Sequence, residues 1–265
     1  MLITSRDNER IKRIRGLFDR KHRDRTRLFL VEGIRHVGEA VAAGAPIECL
    51  CYAPDLLTSE FAHRLIAEQE ARGVPCHAVA PDIFAALSER GNPAGLLAVV
   101  RQSPSRLDDL HPEAFPWGVV LVAPQDPGNV GAILRTVDAV GASGLILLDA
   151  SVDPYHPGAV RASMGALFCH PVVRASFGAF ATWAKAGGYR IWGTSSRADR
   201  DYREVERYSR PLLLLMGSER KGLLPEQMAV CDEVVRMPLR GRVTSLNLAI
   251  ATGVMLYQML ARGEE

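Results

Sequence analysis

The feature that most constrains the fold is a series of short apolar runs in the second half of the chain. They read GVVLVA, GLILLDA, YRIWGTS, PLLLLMG and DEVVRMP between residues 118 and 238, with amphipathic segments between several of them. Near-continuous apolar strands alternating with helices are typical of parallel sheets that are covered on both faces. The chain from Trp117 is therefore predicted to be an α/β domain with a mostly parallel sheet and helices on both faces.

The first half has a shorter series of the same kind. LFLVEG, PIECLCYA and GLLAVV are predicted strands, GIRHVGEAVAAG is a predicted helix, and another helix is expected near residues 55 to 72. Three prolines between residues 101 and 116 interrupt any regular element. We therefore expect a small α/β domain over residues 1–105, a linker over 106–116 and the larger domain over 117–265.

The last segment, SLNLAIATGVMLYQMLARG, has the period of a helix that ends at Gly263. Leu246, Ile250, Val254 and Tyr257 recur at helical spacing. This stripe is predicted to pack on the sheet.

Composition restricts the class of protein. With 48% hydrophobic and 23% charged residues, the 265-residue chain is typical of globular proteins. It has neither an apolar run near the roughly 20 residues of a membrane span nor the apolar segment of a signal peptide. The five cysteines contain no C-x-x-C pair and the histidines have no H-E-x-x-H spacing. We expect a cytoplasmic protein with no membrane association and no metal site.

Charge is unevenly distributed along the chain. Residues 1–35 carry eleven basic and five acidic residues, a net charge of +6, whereas the whole chain carries +2 and the remainder therefore −4. Lysine and arginine bind polyanions by releasing counterions from phosphates. The basic segment therefore indicates a polyanion partner, with a solvated helical face as the alternative.

Three stretches carry candidate chemistry at predicted strand ends. The first, DPGNVGAILRT at residues 126–136, follows an apolar run. A dinucleotide site would require G-x-G-x-x-G, whereas Gly128 and Gly131 give only G-x-x-G. The motif is therefore incomplete, and dinucleotide binding stays open as an alternative. Asn129 stands near a helix start and Arg135 lies close to two turns later; a capping residue and a surface residue are the structural alternatives.

The other two stretches lie toward the C-terminus. In LLLLMGSERKGL the predicted strand is followed by Gly217, Ser218 and Glu219, at the edge of the sheet where ligands of open α/β sheets bind. The structural alternative is that Ser218 is the N-cap of a helix and Glu219 its first residue. In MPLRGRVTSLNLAIATGV a loop containing Arg240 and Arg242 leads to Ser245 at a helix start. Capping would explain Ser245 but not Asn247 inside the first turn.

Together and in this order, the stretches resemble the SpoU branch of the SPOUT RNA 2′-O-ribose methyltransferases. The resemblance comprises the N-x-G-x-x-x-R of the first motif, the G-S-E-x-x-G-L of the second and the S-L-N of the third. With AVRASMGALFCHPV between the first two motifs, it spans most of residues 119 to 258. Many relatives continue Gly-Ser-Glu with glycine, where this chain has Arg220 and Lys221. RTRLFLVEGIRHVGEAV is similar to the substrate-binding domain of the ribosomal-RNA members.

The resemblance implies a C-terminal trefoil knot, S-adenosylmethionine as cofactor, and a homodimer with each active site near the subunit interface. It implies methylation of a ribose 2′-hydroxyl in large-subunit ribosomal RNA; transfer RNA as substrate, a non-catalytic RNA-binding protein and an NAD-linked enzyme are the alternatives. The implied site residues are Asn129, Arg135, Glu219, Ser245 and Asn247 for catalysis, and Thr194, Gly217, Met237 and Leu246 for the cofactor. The residues expected to bind RNA belong to the basic segment and are Arg23, Arg25, Arg27 and Arg35.

Overall fold

Seven strands form the larger of two sheets, in the order β7-β6-β5-β10-β8-β11-β9. Every neighbouring pair in this sheet is parallel. The predicted parallel α/β architecture is thereby confirmed in a computed structural model that describes residues 2–89, 91 and 93–263. The strands are β5 (Trp117–Val122), β6 (Gly144–Leu148), β7 (Val172–Ala175), β8 (Arg190–Thr194), β9 (Arg200–Asp201), β10 (Leu212–Met216) and β11 (Glu233–Arg236).

Helices connect these strands, and most of them cover the sheet. Phe180 and Ala184 of α8 lie in one apolar cluster with Ile146 of β6 and Leu215 of β10. The longest pair, α6 and α10, pack against each other. The helices that belong with this sheet are α6 (Pro127–Val140), α8 (Phe177–Ala186), α9 (Pro225–Met228) and α10 (Leu248–Arg262). Helix α7 (Pro157–Ser163) belongs to the N-terminal part of the structure.

A second sheet is formed by the N-terminal part of the chain. Its order is β1-β4-β2-β3, with β4 antiparallel to both neighbours and β2 parallel to β3. The elements are α1 (Glu9–Gly16), α2 (Arg20–Thr26), β1 (Leu28–Glu32), α3 (Ile34–Ala42), β2 (Ile47–Tyr52), α4 (Glu60–Ala71), β3 (Cys76–Ala78), α5 (Pro81–Ala85) and β4 (Leu96–Arg101).

The chain divides into two units that are not continuous in sequence. The N-terminal unit comprises Met1–Ser103 and Tyr155–Cys169, and the C-terminal unit comprises Pro104–Pro154 and His170–Glu265. In the N-terminal unit the Phe29 ring lies 4.8 Å from that of Tyr155 and 6.3 Å from that of Phe168. Dividing the chain at Pro104 would therefore separate Tyr155 and Phe168 from Phe29, their aromatic packing partner.

The segment predicted as a linker, residues 106–116, packs within the C-terminal unit. Leu110 and Phe115 are buried in its core, and Trp183 Nε1 donates a hydrogen bond to the carbonyl of Leu110 at 3.1 Å. Within the described part of the chain, no helix is long and apolar enough to cross a lipid bilayer.

The face of α10 that packs is not the predicted one. Ile250 and Tyr257 are 59% and 56% exposed, and Leu246 and Leu260 are exposed as well. The packing prediction was wrong for Leu246, Ile250 and Tyr257, whereas Val254 is half-buried. The helix has two apolar stripes, and its period alone does not say which one meets the core. The buried stripe consists of Leu248, Ala251, Thr252, Met255, Leu256 and Met259.

Arg23 is not a surface residue. It is 1% exposed, and its Nη1 donates to the carbonyls of Leu17 at 2.8 Å and Phe18 at 2.9 Å. The prediction that Arg23 contacts RNA is wrong in this structure, because its guanidinium is used inside the N-terminal unit. Arg25, Arg27 and Arg35 are exposed.

This burial predicts unequal stability effects for two neighbouring arginines. Arg23→Ala would leave two main-chain carbonyls without their charged donor, so we expect the free energy of unfolding to fall by about 1–3 kcal/mol. Arg25→Ala, on the exposed side of α2, should change it by less than about 0.5 kcal/mol. Denaturant unfolding followed by circular dichroism measures both; equal midpoints would contradict the structural role of Arg23.

Candidate active site

The carboxyl ends of three neighbouring strands open onto one cavity. β8 ends at Thr194, β10 at Met216 and β11 at Arg236, and because the strands are parallel these ends meet at the same edge of the sheet. The loops that follow them line a cavity of about 490 Å³. This volume lies within the roughly 300–1,000 Å³ of small-molecule sites, and the position is the usual one for ligands of open α/β sheets.

All four predicted cofactor residues line this cavity: Thr194, Gly217, Met237 and Leu246. Thr194 Oγ1 lies 3.5 Å from Met216 Sδ and donates to it, which joins the ends of β8 and β10. Leu223, Leu248 and Ala251 add apolar surface, and Ser195 and Thr244 add hydroxyl groups. The cavity therefore combines an apolar wall with polar groups, as a nucleoside-containing ligand requires.

The loop after β10 is closed by its own backbone. The Gly222 amide donates to the Ser218 carbonyl at 2.9 Å, and the Lys221 amide donates to Ser218 Oγ at 3.3 Å. A Cβ at position 217 would lie 2.1 Å from the carbonyl carbon of Gly222. Glycine is therefore required at 217 by closure of the loop. No helix begins at Ser218, so the capping alternative for this serine is wrong.

Asn129 is a buried residue of α6 and does not cap the helix. The N-cap is Asp126, whose Oδ1 accepts from the Gly128 amide at 2.7 Å. Asn129 is 9% exposed. The oxygen and the nitrogen of its side-chain amide each form a hydrogen bond with a residue far away in sequence. The capping alternative for Asn129 is therefore excluded.

Asn247 is the N-cap of α10. Its Oδ1 accepts from the amides of Ala249 at 2.9 Å and Ile250 at 3.2 Å, and its Nδ2 donates to Asn129 Oδ1 at 2.9 Å. The sequence interpretation placed the helix start two residues too early, with Ser245 as the cap and Asn247 inside the first turn. Ser245 is exposed, precedes the cap and lines the cavity.

The direction of this hydrogen-bond chain follows from the cap. Because two backbone amides occupy Asn247 Oδ1, its Nδ2 must face Asn129, which therefore presents Oδ1 to Asn247 and Nδ2 to its other neighbour. That neighbour is Glu219, whose Oε1 accepts from Asn129 Nδ2 at 3.4 Å. Three of the five predicted catalytic residues are thus joined, and Glu219 also lines the cavity.

Arg135 is not part of this chain of hydrogen bonds. It lies six residues after Asn129 on α6, about 240° around the helix, and it is exposed. In the described residues it has neither an ion pair nor a hydrogen bond from its side chain. Its neighbour Thr136 faces α10, with its Cγ2 3.9 Å from the position that a Cβ on Gly253 would take.

Sequence reasoning missed one loop of the cavity. Ser195, Ser196 and Arg197 follow β8 and line the cavity beside the loop after β10. The signal was available, because this segment begins at the last residue of the apolar run YRIWGTS, just as the other site loops begin where their apolar runs end. Arg220 and Lys221 also line the cavity, which places the departure from the family pattern at the site itself.

Comparison with known proteins identifies relatives of nearly full length. A 23S rRNA (uridine(2479)-2′-O)-methyltransferase of Streptomyces viridochromogenes is 36% identical, over 97% of this chain and 90% of the relative. A 23S rRNA (guanosine(2553)-2′-O)-methyltransferase of Bacillus subtilis is 29% identical, over 97% and 98%. The crystal structure of an AdoMet-bound rRNA methyltransferase from Sinorhizobium meliloti is 38% identical with a TM-score of 0.88, covering 98% of this chain and 97% of that one.

Two family matches divide the chain in the same order as the sequence analysis. Residues 8–98 match the MRM3-like substrate binding domain. Residues 116–257, which contain all three motifs and the whole cavity lining, match the SpoU rRNA methylase family. The chain therefore belongs to the SpoU rRNA methylase family.

Proposed function

We propose that this protein is an S-adenosylmethionine-dependent methyltransferase that modifies a ribose 2′-hydroxyl of large-subunit ribosomal RNA. The observation that carries the proposal is Glu219, which belongs both to the cavity and to the polar chain through Asn129 and Asn247. A ligand in the cavity would thus lie next to an oriented carboxylate. The relatives named for 23S rRNA 2′-O-methylation support ribosomal RNA as the substrate class.

The cavity residues fit the cofactor. Met237, Leu246 and Leu248 provide an apolar surface for an adenine ring, while Thr194 and the hydroxyl-bearing loop residues provide polar contacts for a ribose and an amino acid group. When bound, S-adenosylmethionine supplies a methyl group on an electrophilic sulfonium centre. The protein's task is to orient the attacking ribose oxygen and to assist the loss of its proton.

The side chains divide this task between them. A guanidinium stays protonated in proteins, so Arg135 acts by binding the phosphate next to the target ribose and stabilising the negative charge that develops on the 2′-oxygen. The proton passes to that phosphate or to Glu219, whose Oε1 is held by Asn129. Ser245, exposed at the cavity, is available to hydrogen-bond the ribose.

A homodimer completes the proposal. The exposed stripe of α10, with Ile250 and Tyr257 each more than half exposed, would be covered by a second copy of the chain. Arg135 is exposed on α6, which packs against α10, so we expect dimerisation through α10 to bring the partner subunit close to α6. The trefoil knot belongs to the same proposal and rests on the family resemblance. The cytoplasmic location rests on the composition of the chain, and the assignment of RNA binding to the N-terminal unit rests on its basic segment and on the match to a substrate binding domain.

The test is transfer of a labelled methyl group to an unmodified 23S ribosomal RNA transcript, followed by mapping of the modified ribose. In this assay Arg135→Ala should reduce transfer by about 10² or more, because the guanidinium stabilises the transition state. Affinity for S-adenosylmethionine, measured by isothermal titration, should stay within a few-fold. Near-normal turnover of this variant would show that Arg135 has no catalytic role. A wild-type protein that binds RNA but transfers no methyl group would be an RNA-binding protein and not a methyltransferase.

Asn247 allows capping and side-chain orientation to be separated. Asn247→Asp retains a good cap but loses the Nδ2 donor, so Asn129 would turn its own Nδ2 toward Asp and its carbonyl oxygen toward Glu219. We expect turnover to fall about 10-fold or more while the free energy of unfolding changes by less than about 0.5 kcal/mol. Asn247→Ala, which loses the cap as well, should also cost about 1 kcal/mol. An active Asp variant beside an inactive, destabilised Ala variant would limit Asn247 to capping.

The exposed arginines of the N-terminal unit predict salt-dependent RNA binding. Replacing Arg25, Arg27 and Arg35 with alanine should weaken binding of the transcript and lower the salt slope by about one unit for each phosphate that is no longer bound, with cofactor affinity unchanged. Arg64→Ala with Arg72→Ala, on and after α4, is the control within the same unit. Identical binding of the triple variant and the parent over a salt series would make the basic segment a solvated face.

A further inference from the structure

Three basic side chains line the cavity beside the predicted cofactor residues. Arg197 comes from the loop after β8, and Arg220 and Lys221 come from the loop after β10. All three are exposed, and within residues 2–89, 91 and 93–263 none of them forms an ion pair. Glu219 is the one carboxylate among the described lining residues, and Asn129 already donates to it.

The backbone that carries these cations is held in tight turns. The Arg197 amide donates to Ser195 Oγ at 3.2 Å, and the Ala198 amide donates to the Ser195 carbonyl at 3.2 Å. The hydrogen bonds from Gly222 and Lys221 to Ser218 close the second turn in the same way. Only the side chains therefore lose freedom when an anion binds, which lowers the cost of ordering the site.

The charge of the cavity favours an anion other than the cofactor. S-adenosylmethionine carries a sulfonium and an ammonium against one carboxylate, so it adds positive charge to a wall that is already positive. Like charges in one site repel each other unless an opposite charge enters. Under the proposed function, the remaining component is RNA, whose phosphodiesters flank the reactive ribose on both sides.

On the basis of the proposed function, we infer that Arg197, Arg220 and Lys221 form a phosphate-binding subsite for the RNA backbone next to the target nucleotide. Arginine binds phosphate oxygens through two parallel donors, and lysine binds them as a point charge. Such interactions set the position and register of the strand without reading its bases. The C-terminal unit thus binds RNA through these three residues as well as through Arg135, in addition to the residues proposed for the N-terminal unit.

The test compares three variants of the full chain with the parent. The triple variant Arg197→Ala, Arg220→Ala and Lys221→Ala removes the subsite. The variant Arg197→Lys with Arg220→Lys retains its charge. The control, Arg174→Ala with Lys185→Ala, removes exposed positive charge from β7 and α8, which do not line the cavity.

Binding of the unmodified 23S transcript is measured over a salt series, S-adenosylmethionine binding by isothermal titration, and methyl transfer at varied RNA concentration. The triple variant should bind RNA about 10-fold or more weakly and lower the salt slope by up to about three units. KM for RNA should rise while kcat at saturating RNA changes less, and cofactor affinity should stay within a few-fold. The lysine variant should recover most of the RNA affinity, and the control should behave like the parent.

Several results would overturn the inference. An unchanged salt slope would make the three side chains solvated charges, and an equal loss in the control would make the effect one of net charge. A large loss of cofactor affinity would assign them to the carboxylate of S-adenosylmethionine. These failures differ from failure of the proposed function, in which the parent protein itself would transfer no methyl group to RNA.

Discussion

The parallel pairing of β10 between β5 and β8 is the constraint on which the site depends. All five residues of β10 are buried, and its register aligns Leu212 with Trp117 on one side and Arg190 on the other. Because parallel strands end at the same edge, this pairing brings together loops that lie far apart in sequence. The cavity, Glu219 and the three cations at its wall all follow from that arrangement.

The polar chain at the site depends on a second, smaller constraint, which is the capping of α10. The amides of Ala249 and Ile250 determine which atom of Asn247 faces Asn129, and that choice propagates to Glu219. Ordinary helix chemistry therefore orients groups that the proposed reaction uses. The same asparagine satisfies the backbone and positions a side chain, so a substitution that removes both functions cannot distinguish them.

Burial, and not charge alone, separates the basic residues of the N-terminal unit. Arg23 and Arg25 lie two residues apart on α2, yet the first is buried and donates to two main-chain carbonyls, and the second lies at the surface. A charge count treats them equally, although only an exposed arginine can release counterions from a phosphate. Arg197, Arg220 and Lys221 of the C-terminal unit contribute to a net charge of the chain that is near zero, so the charge count does not single them out. They indicate a binding site for an anion only because they line the same cavity.

The sequence alone determined the parallel α/β class, the positions of five of the seven strands in the larger sheet and the placement of the three motifs at strand ends, because apolar period and strand length are local properties. It did not predict β7 and β9. It also identified Asn129, Glu219 and Asn247, which the structure joins by hydrogen bonds. Only the tertiary structure decided which stripe of α10 is buried, that Asn247 rather than Ser245 caps it, that Arg23 is internal and that Tyr155–Cys169 packs in the N-terminal unit. Each of these depends on a partner distant in sequence or on a choice between chemically equivalent local candidates, and a local pattern contains no information about such a partner.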